Sequence, residues 1–138
     1  MRIMAIDYGD AHTGIAISDP TGFLAGFTTV INAYRPEVVA EQVAALAKEH
    51  SVEELVLGHP INMDGTRGPR SEKAQAMKAL LEETTSLPVV LWDERRTTID
   101  AHQILMNSGK NAKKRKKVVD AVAASLILEG YLTYKKNH

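Results

Sequence analysis

The chain has 138 residues, a formal net charge of zero, no cysteine, and 44% hydrophobic but only 5% aromatic residues. Such a length suits one domain over residues 1–138 with one aliphatic, alanine-rich core. The lack of cysteine excludes disulfides, thiolate metal sites and cysteine catalysis, and no apolar run approaches the ~18 residues of a membrane span. The start turns acidic at Asp7, too soon for a signal peptide, so a cytoplasmic protein without membrane association is expected.

Ile3 to Ile6 is a short continuous apolar run, as in a buried strand. Gly9 to Gly14 reads as a turn and Gly14 to Ser18 as a second strand. Asp19-Pro20-Thr21-Gly22 suits a type I turn, and Phe23 to Ile31 follows as a third strand. Strands joined by such short turns form an antiparallel meander. From Pro36 the period becomes helical, with Val39, Val43, Leu46 and Ala47 on one face and proline in the first turn. Leu55-Val56-Leu57 is a short buried strand. The segment His59 to Pro69, rich in proline and glycine, is a loop.

Ser71 to Thr84 is helical through Ala74, Met77 and Leu81, and Val89 to Trp92 is the last strand. Thr97 or Thr98 can cap a helix with Ala101, Ile104 and Leu105 inward. A basic loop follows. The final helix is expected from about Lys117 to Tyr134, with Val119, Val122, Ala123, Leu126 and Gly130 inward. The order β-β-β-α-β-α-β-α-α gives an α/β fold, a mixed five-stranded sheet with helices on both faces.

Acidic residues recur at the element boundaries. Asp7 ends the first strand, Asp93-Glu94 leave the last one, and Asp120 lies near the start of the final helix. A carboxylate beside a core is costly unless something pairs with it. Hard oxygen ligands from three elements suit magnesium or manganese. In open α/β sheets ligands gather beyond strand ends. Each acid also has a plainer reading: a turn former at Asp7, a self-neutralised loop at Asp93-Glu94-Arg95-Arg96, and a helix-dipole partner at Asp120. Asp120 has Ala123, Ala124 and Ile127 at its i+3, i+4 and i+7 positions, which turns it toward the apolar face. The run Lys110, Lys113, Lys114, Arg115, Lys116 and Lys117 can neutralise backbone phosphates despite the balanced total. Asn62 can bond a phosphate, and Gly65 beside it permits an unusual backbone angle.

Five motifs occur in order: Asp7-Tyr8-Gly9, Gly14-Ile15-Ala16-Ile17-Ser18-Asp19, Gly58-x-Pro60-x-Asn62-Met63-x-Gly65, Asp93-Glu94-Arg95-x-Thr97-Thr98 and Lys117-x-x-Asp120-x-x-Ala123-Ala124. Through them the chain resembles the YqgF/RuvX family over essentially its whole length. The resemblance implies a ribonuclease-H-like fold and a metal-dependent nuclease. Its work would be 5′-end processing of the 16S ribosomal RNA precursor or, alternatively, resolution of Holliday junctions by a dimer. It further implies that Asp7, Glu94 (with Asp93 as fallback) and Asp120 hold two Mg2+ or Mn2+ ions. Arg95, Asn62 and Lys113, Lys114, Arg115, Lys116 and Lys117 would meet nucleic acid, and the chain would be a monomer or weak homodimer, with Tyr131 and Tyr134 available for a contact. The sequence departs from the family pattern at Asp10-Ala11-His12-Thr13, at His59 and at Arg96. A nucleic-acid-binding assembly factor without catalysis and a nucleotide-dependent kinase are the rival readings.

Overall fold

The computed structural model describes residues 1–19, 25–59, 69–93 and 112–137, with the backbone alone at 25, 69–70, 93, 112–121 and 136–137. Its elements are β1 (Ile3–Asp7), β2 (His12–Ser18), β3 (Ala25–Asn32), α1 (Pro36–Glu49), β4 (Glu54–His59), α2 (Pro69–Thr85), β5 (Val89–Asp93) and α3 (Ala112–Asn137). The expected turn at Asp19–Gly22 and the expected helix around Ala101, Ile104 and Leu105 lie outside the described residues, apart from Asp19.

The five strands form one sheet in the order β3-β2-β1-β4-β5. The meander pairs antiparallel, with Met4 opposite Ile17 and Ile15 opposite Thr29. The crossovers through α1 and α2 add β4 and β5 parallel to β1, with Ile6 beside Leu57 and His59 beside Asp93. β1 and β4 are central and covered on both faces, which is why their sequences are unbroken apolar runs. β3 is an edge strand and is largely exposed instead, with Phe27 and Thr28 exposed and Ile31 buried.

Strand alternation sorts the core into two layers. Met4, Ile6, Ile15, Ile17, Leu55 and Leu57 face α1 and α2, where Val39, Val43, Met77 and Leu81 complete a large aliphatic cluster. Ile3, Ala5, Ala16, Val56 and Trp92 face α3. Helix α1 starts with Pro36 at its first position. It ends through Ser51, whose φ of 55° sends the chain into the left-handed region. Val52 N–H then returns to the Ala47 carbonyl at 2.8 Å, the bond of a Schellman cap, and Val52 is buried in the aliphatic cluster.

Helix α3 corrects the sequence reading twice. It begins at Ala112 rather than near Lys117, so Lys113 to Lys117 occupy its first turns and not a loop. Its buried stripe is Ala124, Ile127, Leu128, Tyr131 and Leu132. Val122, Ala123, Leu126 and Gly130 are only half-buried beside it. The inner face is thus rotated by about one residue, because the small residues of β1 and β2 beneath it, Ala5 and Ala16, set where the helix fits closest. Tyr131, expected as surface, is buried edge-on against Trp92, with ring centroids 5.7 Å apart.

Candidate active site

The parallel strands β1, β4 and β5 all end on one edge of the sheet, and their last residues are Asp7, His59 and Asp93. The Asp7 backbone is fixed by the turn into β2. There a Cβ on Gly9 would run into the backbone oxygen of His12, so the tight closure needs glycine. By alternation Asp7 shares a face with Ile3 and Ala5, the face that α3 covers. Its partner on β2 is Gly14. On β4 the position after the Ile6–Leu57 pair is Gly58. A carboxylate flanked by glycine on both neighbouring strands meets no side chain at those two positions. Sequence reasoning did not single out this pairing of Gly14 and Gly58 around Asp7, because it depends on register.

Asp7 is half-buried, and its carboxylate has no hydrogen bond or ion pair among the described residues. A partly desolvated carboxylate of this kind fits a hard divalent cation. The donor chemistry therefore suits magnesium or manganese.

Helix α3 runs from this edge toward the opposite end of the sheet. Near its C-terminus the Tyr131 hydroxyl donates to Glu54, the first residue of β4, and Lys135 Nζ reaches the same carboxylate at 3.2 Å. Asp120 precedes Tyr131 by eleven residues, about 16 Å of helix. Asp7 lies four residues beyond Ile3, which pairs with Glu54, or about 13 Å of strand. Position 120 is thus level with the carboxyl end of β1. It precedes the buried Ala124, Ile127 and Tyr131 at i+4, i+7 and i+11. Since α3 starts at Ala112, Asp120 sits in its third turn rather than its first. The helix dipole has faded there, so the dipole-partner reading lapses.

The remaining predicted residues divide. Asp93 ends β5 beside His59. Glu94, Arg95 and Asn62 lie outside the described residues, and Lys113, Lys114, Arg115, Lys116 and Lys117 are placed by backbone in the opening turns of α3.

Two further groups border the edge on the α1–α2 side. His59 is buried, and its Nε2 shares a 2.6 Å hydrogen bond with Oγ of fully buried Ser71 on α2. This polar pair pins the end of β4 to the helix that follows. The sequence signal was available, since a histidine closing a buried strand needs a partner, but its partner lies 12 residues away on another element. Tyr8 packs against the aliphatic cluster. Burial, then the Asp10 carboxylate, pushes its phenol above the usual range, although Lys73 acts in the other direction. Lys73 Nζ also bonds Asp10 Oδ1 at 2.9 Å, an exposed ion pair that ties the β1–β2 turn to α2. Such pairs add little stability.

The family model described as "RuvX: Holliday junction resolvase" matches residues 1–134. The chain belongs to the RuvX family. Membership brings with it a nuclease activity that hydrolyses phosphodiester bonds. A Halothermothrix orenii protein named "Putative pre-16S rRNA nuclease" is 45% identical over 98% of this chain and 96% of its own length. A Bacillus subtilis protein of the same name is 43% identical over 96% of this chain and 97% of its own. Among solved structures, Thermus thermophilus RuvC in complex with a Holliday junction substrate superposes with a TM-score of 0.63 at 13% identity, covering 99% of this chain and 96% of that one. The fold is thus ribonuclease-H-like, as the family resemblance implied, and the mixed five-stranded sheet expected from the order of strands and helices is present. No helix among the described residues is long and apolar enough to cross a membrane.

Proposed function

We propose that the whole chain acts as one metal-dependent nuclease domain in the cytoplasm and that its substrate is the 5′ region of the 16S ribosomal RNA precursor. The observation that carries the site assignment is Asp7, a half-buried strand-end carboxylate without a described partner and flanked by Gly14 and Gly58. Asp7, Asp120 and Glu94 would hold the magnesium or manganese ions. The family resemblance supplies Glu94 as the third acid, with Asp93 as its fallback. When bound, two such ions supply an activated water and neutralise the leaving oxygen.

The chain's own residues do the rest. Lys113, Lys114, Arg115, Lys116, Lys117 and Arg95 hold backbone phosphates, which makes binding salt-sensitive and weakly sequence-specific. Asn62 meets the substrate beside them. A monomer or weak homodimer suffices for an RNA end.

The family description and the likeness to a junction-bound resolvase favour one second reading, cleavage of four-way DNA. That reading requires a dimer, because symmetric nicks need two sites. The deciding assay offers a labelled precursor-rRNA 5′ fragment and a four-way junction, side by side, to wild type and Asp7→Asn in magnesium and in manganese. Wild-type cleavage of RNA alone supports rRNA processing. Paired nicks in the junction establish the resolvase, and binding without cleavage of either would reduce the protein to an assembly factor.

A further inference from the structure

A cavity of about 270 Å³ opens on the α1–α2 side of the same sheet edge, lined by Tyr8, Asp10, Tyr34, Pro36, Lys73 and Met77 among others. Nothing in the catalytic reading uses it. Its walls have an uncommon composition for this chain. Two of its four tyrosines line one small cavity, and Tyr34 is 80% exposed, the most exposed large hydrophobic residue described. An aromatic ring held in water beside a cavity is available for stacking. The floor is apolar, with Met77 fully buried. The Lys73–Asp10 pair, 2.9 Å apart, supplies one cation and one hydrogen-bond acceptor. The volume is near the lower end of ligand pockets, which start at roughly 300 Å³. It has room for one planar ring system and little more.

Location identifies the occupant. Tyr8 directly follows Asp7, so their backbones are about 3.8 Å apart while their side chains take opposite faces of the sheet. A nucleic-acid strand crossing the edge at Asp7 therefore continues over Tyr8. We propose that this cavity is a subsite for one unpaired nucleotide of the substrate strand, with its base stacked on Tyr34 and Tyr8 and its phosphate met by Lys73. The proposal rests on the nuclease reading and adds to it a preference for single-stranded substrate next to the cut. Every base has a π-face, so the subsite selects strandedness rather than sequence.

The test measures binding without cleavage, in EDTA, using a short single-stranded RNA carrying 5-iodouridine and a blunt duplex of the same sequence. Tyr34→Ala, at an exposed position that folding does not need, weakens single-strand binding about tenfold. Tyr34→Phe keeps it, and duplex binding changes less than about twofold. Ultraviolet irradiation cross-links the iodouridine to Tyr34 or Tyr8. Filling the cavity by Ala76→Phe, at another lining position on α2, reproduces the Tyr34→Ala loss. Unchanged single-strand affinity in both variants, with no cross-link to either tyrosine, overturns the subsite and leaves the cavity to an apolar protein segment. Wild-type cleavage of the same RNA is scored in parallel. Cleavage with Tyr34-independent binding sinks the subsite alone. Tyr34-dependent binding without cleavage sustains the subsite and sinks the nuclease reading.

Discussion

The two faces of the sheet are built from different residues. Against α1 and α2 the strands present Met4, Ile6, Ile15, Ile17, Leu55 and Leu57, large side chains that interlock with Val39, Val43, Met77 and Leu81. Against α3 they present mostly small ones, Ala5, Ala16 and Val56, with Trp92 filling the far side. The first face buries most of the aliphatic volume and so supplies most of the stability. The second lets a long helix lie close to the sheet, and its register ends at Asp7. Stability and chemistry are thus divided between layers, and substitutions on each should respond differently.

The largest effect tests the chemical layer. Asp7→Asn should lower cleavage about a thousandfold or more, since loss of a central ligand removes several kcal/mol of charge stabilisation. Urea unfolding should show stability unchanged or raised, because a partly desolvated charge disappears. A destabilised but active variant would break the division. Leu57→Ala, on the aliphatic face, should show the reverse. It should cost about 2–5 kcal/mol in the same titration, while the folded fraction retains ordinary turnover.

Tyr131→Phe should have an intermediate effect, about 1–3 kcal/mol, by removing the hydroxyl that donates to the Glu54 carboxylate. Burial first, then that hydrogen bond and the Glu54 charge, raise the Tyr131 pKa above its ordinary 10.0. The folded protein therefore keeps a proton that the unfolded chain releases. The resulting stability is present below pH 10 and is lost as pH rises from there toward the folded pKa. Alkaline unfolding should accordingly be shallower in Tyr131→Phe than in wild type. Gly130→Ala should have the smallest effect. Its Cβ would stand 3.4 Å from the Trp92 ring, a tight fit that offsets the gain of roughly 1 kcal/mol in helix propensity. A melting temperature within a few degrees of wild type is expected.

The buried strands were legible because residues covered on both faces leave an unbroken apolar run, and the run Ile3 to Ile6 led directly to Asp7. Helix α3 was harder to read. Its first turns are Lys113 to Lys117, which carry no apolar period, so its start was placed too late. Its inner face depends on where Ala5 and Ala16 allow approach, and alanine leaves that ambiguous in a sequence. At the candidate site Asp7 and Asp93 were visible as strand-end acids, and Asp120 by its spacing to the apolar stripe of α3 rather than as the helix start it was read to be. The glycines beside Asp7 and the His59–Ser71 bond were not, since both depend on pairings between distant segments.

The packing of Trp92 has a practical consequence. It is the chain's one tryptophan, it immediately precedes Asp93, and its ring rests on Gly130 and Tyr131 of α3. Intrinsic fluorescence excited at this indole therefore originates from a single place, between the end of β5 and the helix that closes the chemical face. Any shift of α3 against the sheet changes the ring's surroundings. The molecule carries an internal optical probe, and the seating of α3 can be followed in unlabelled protein during turnover.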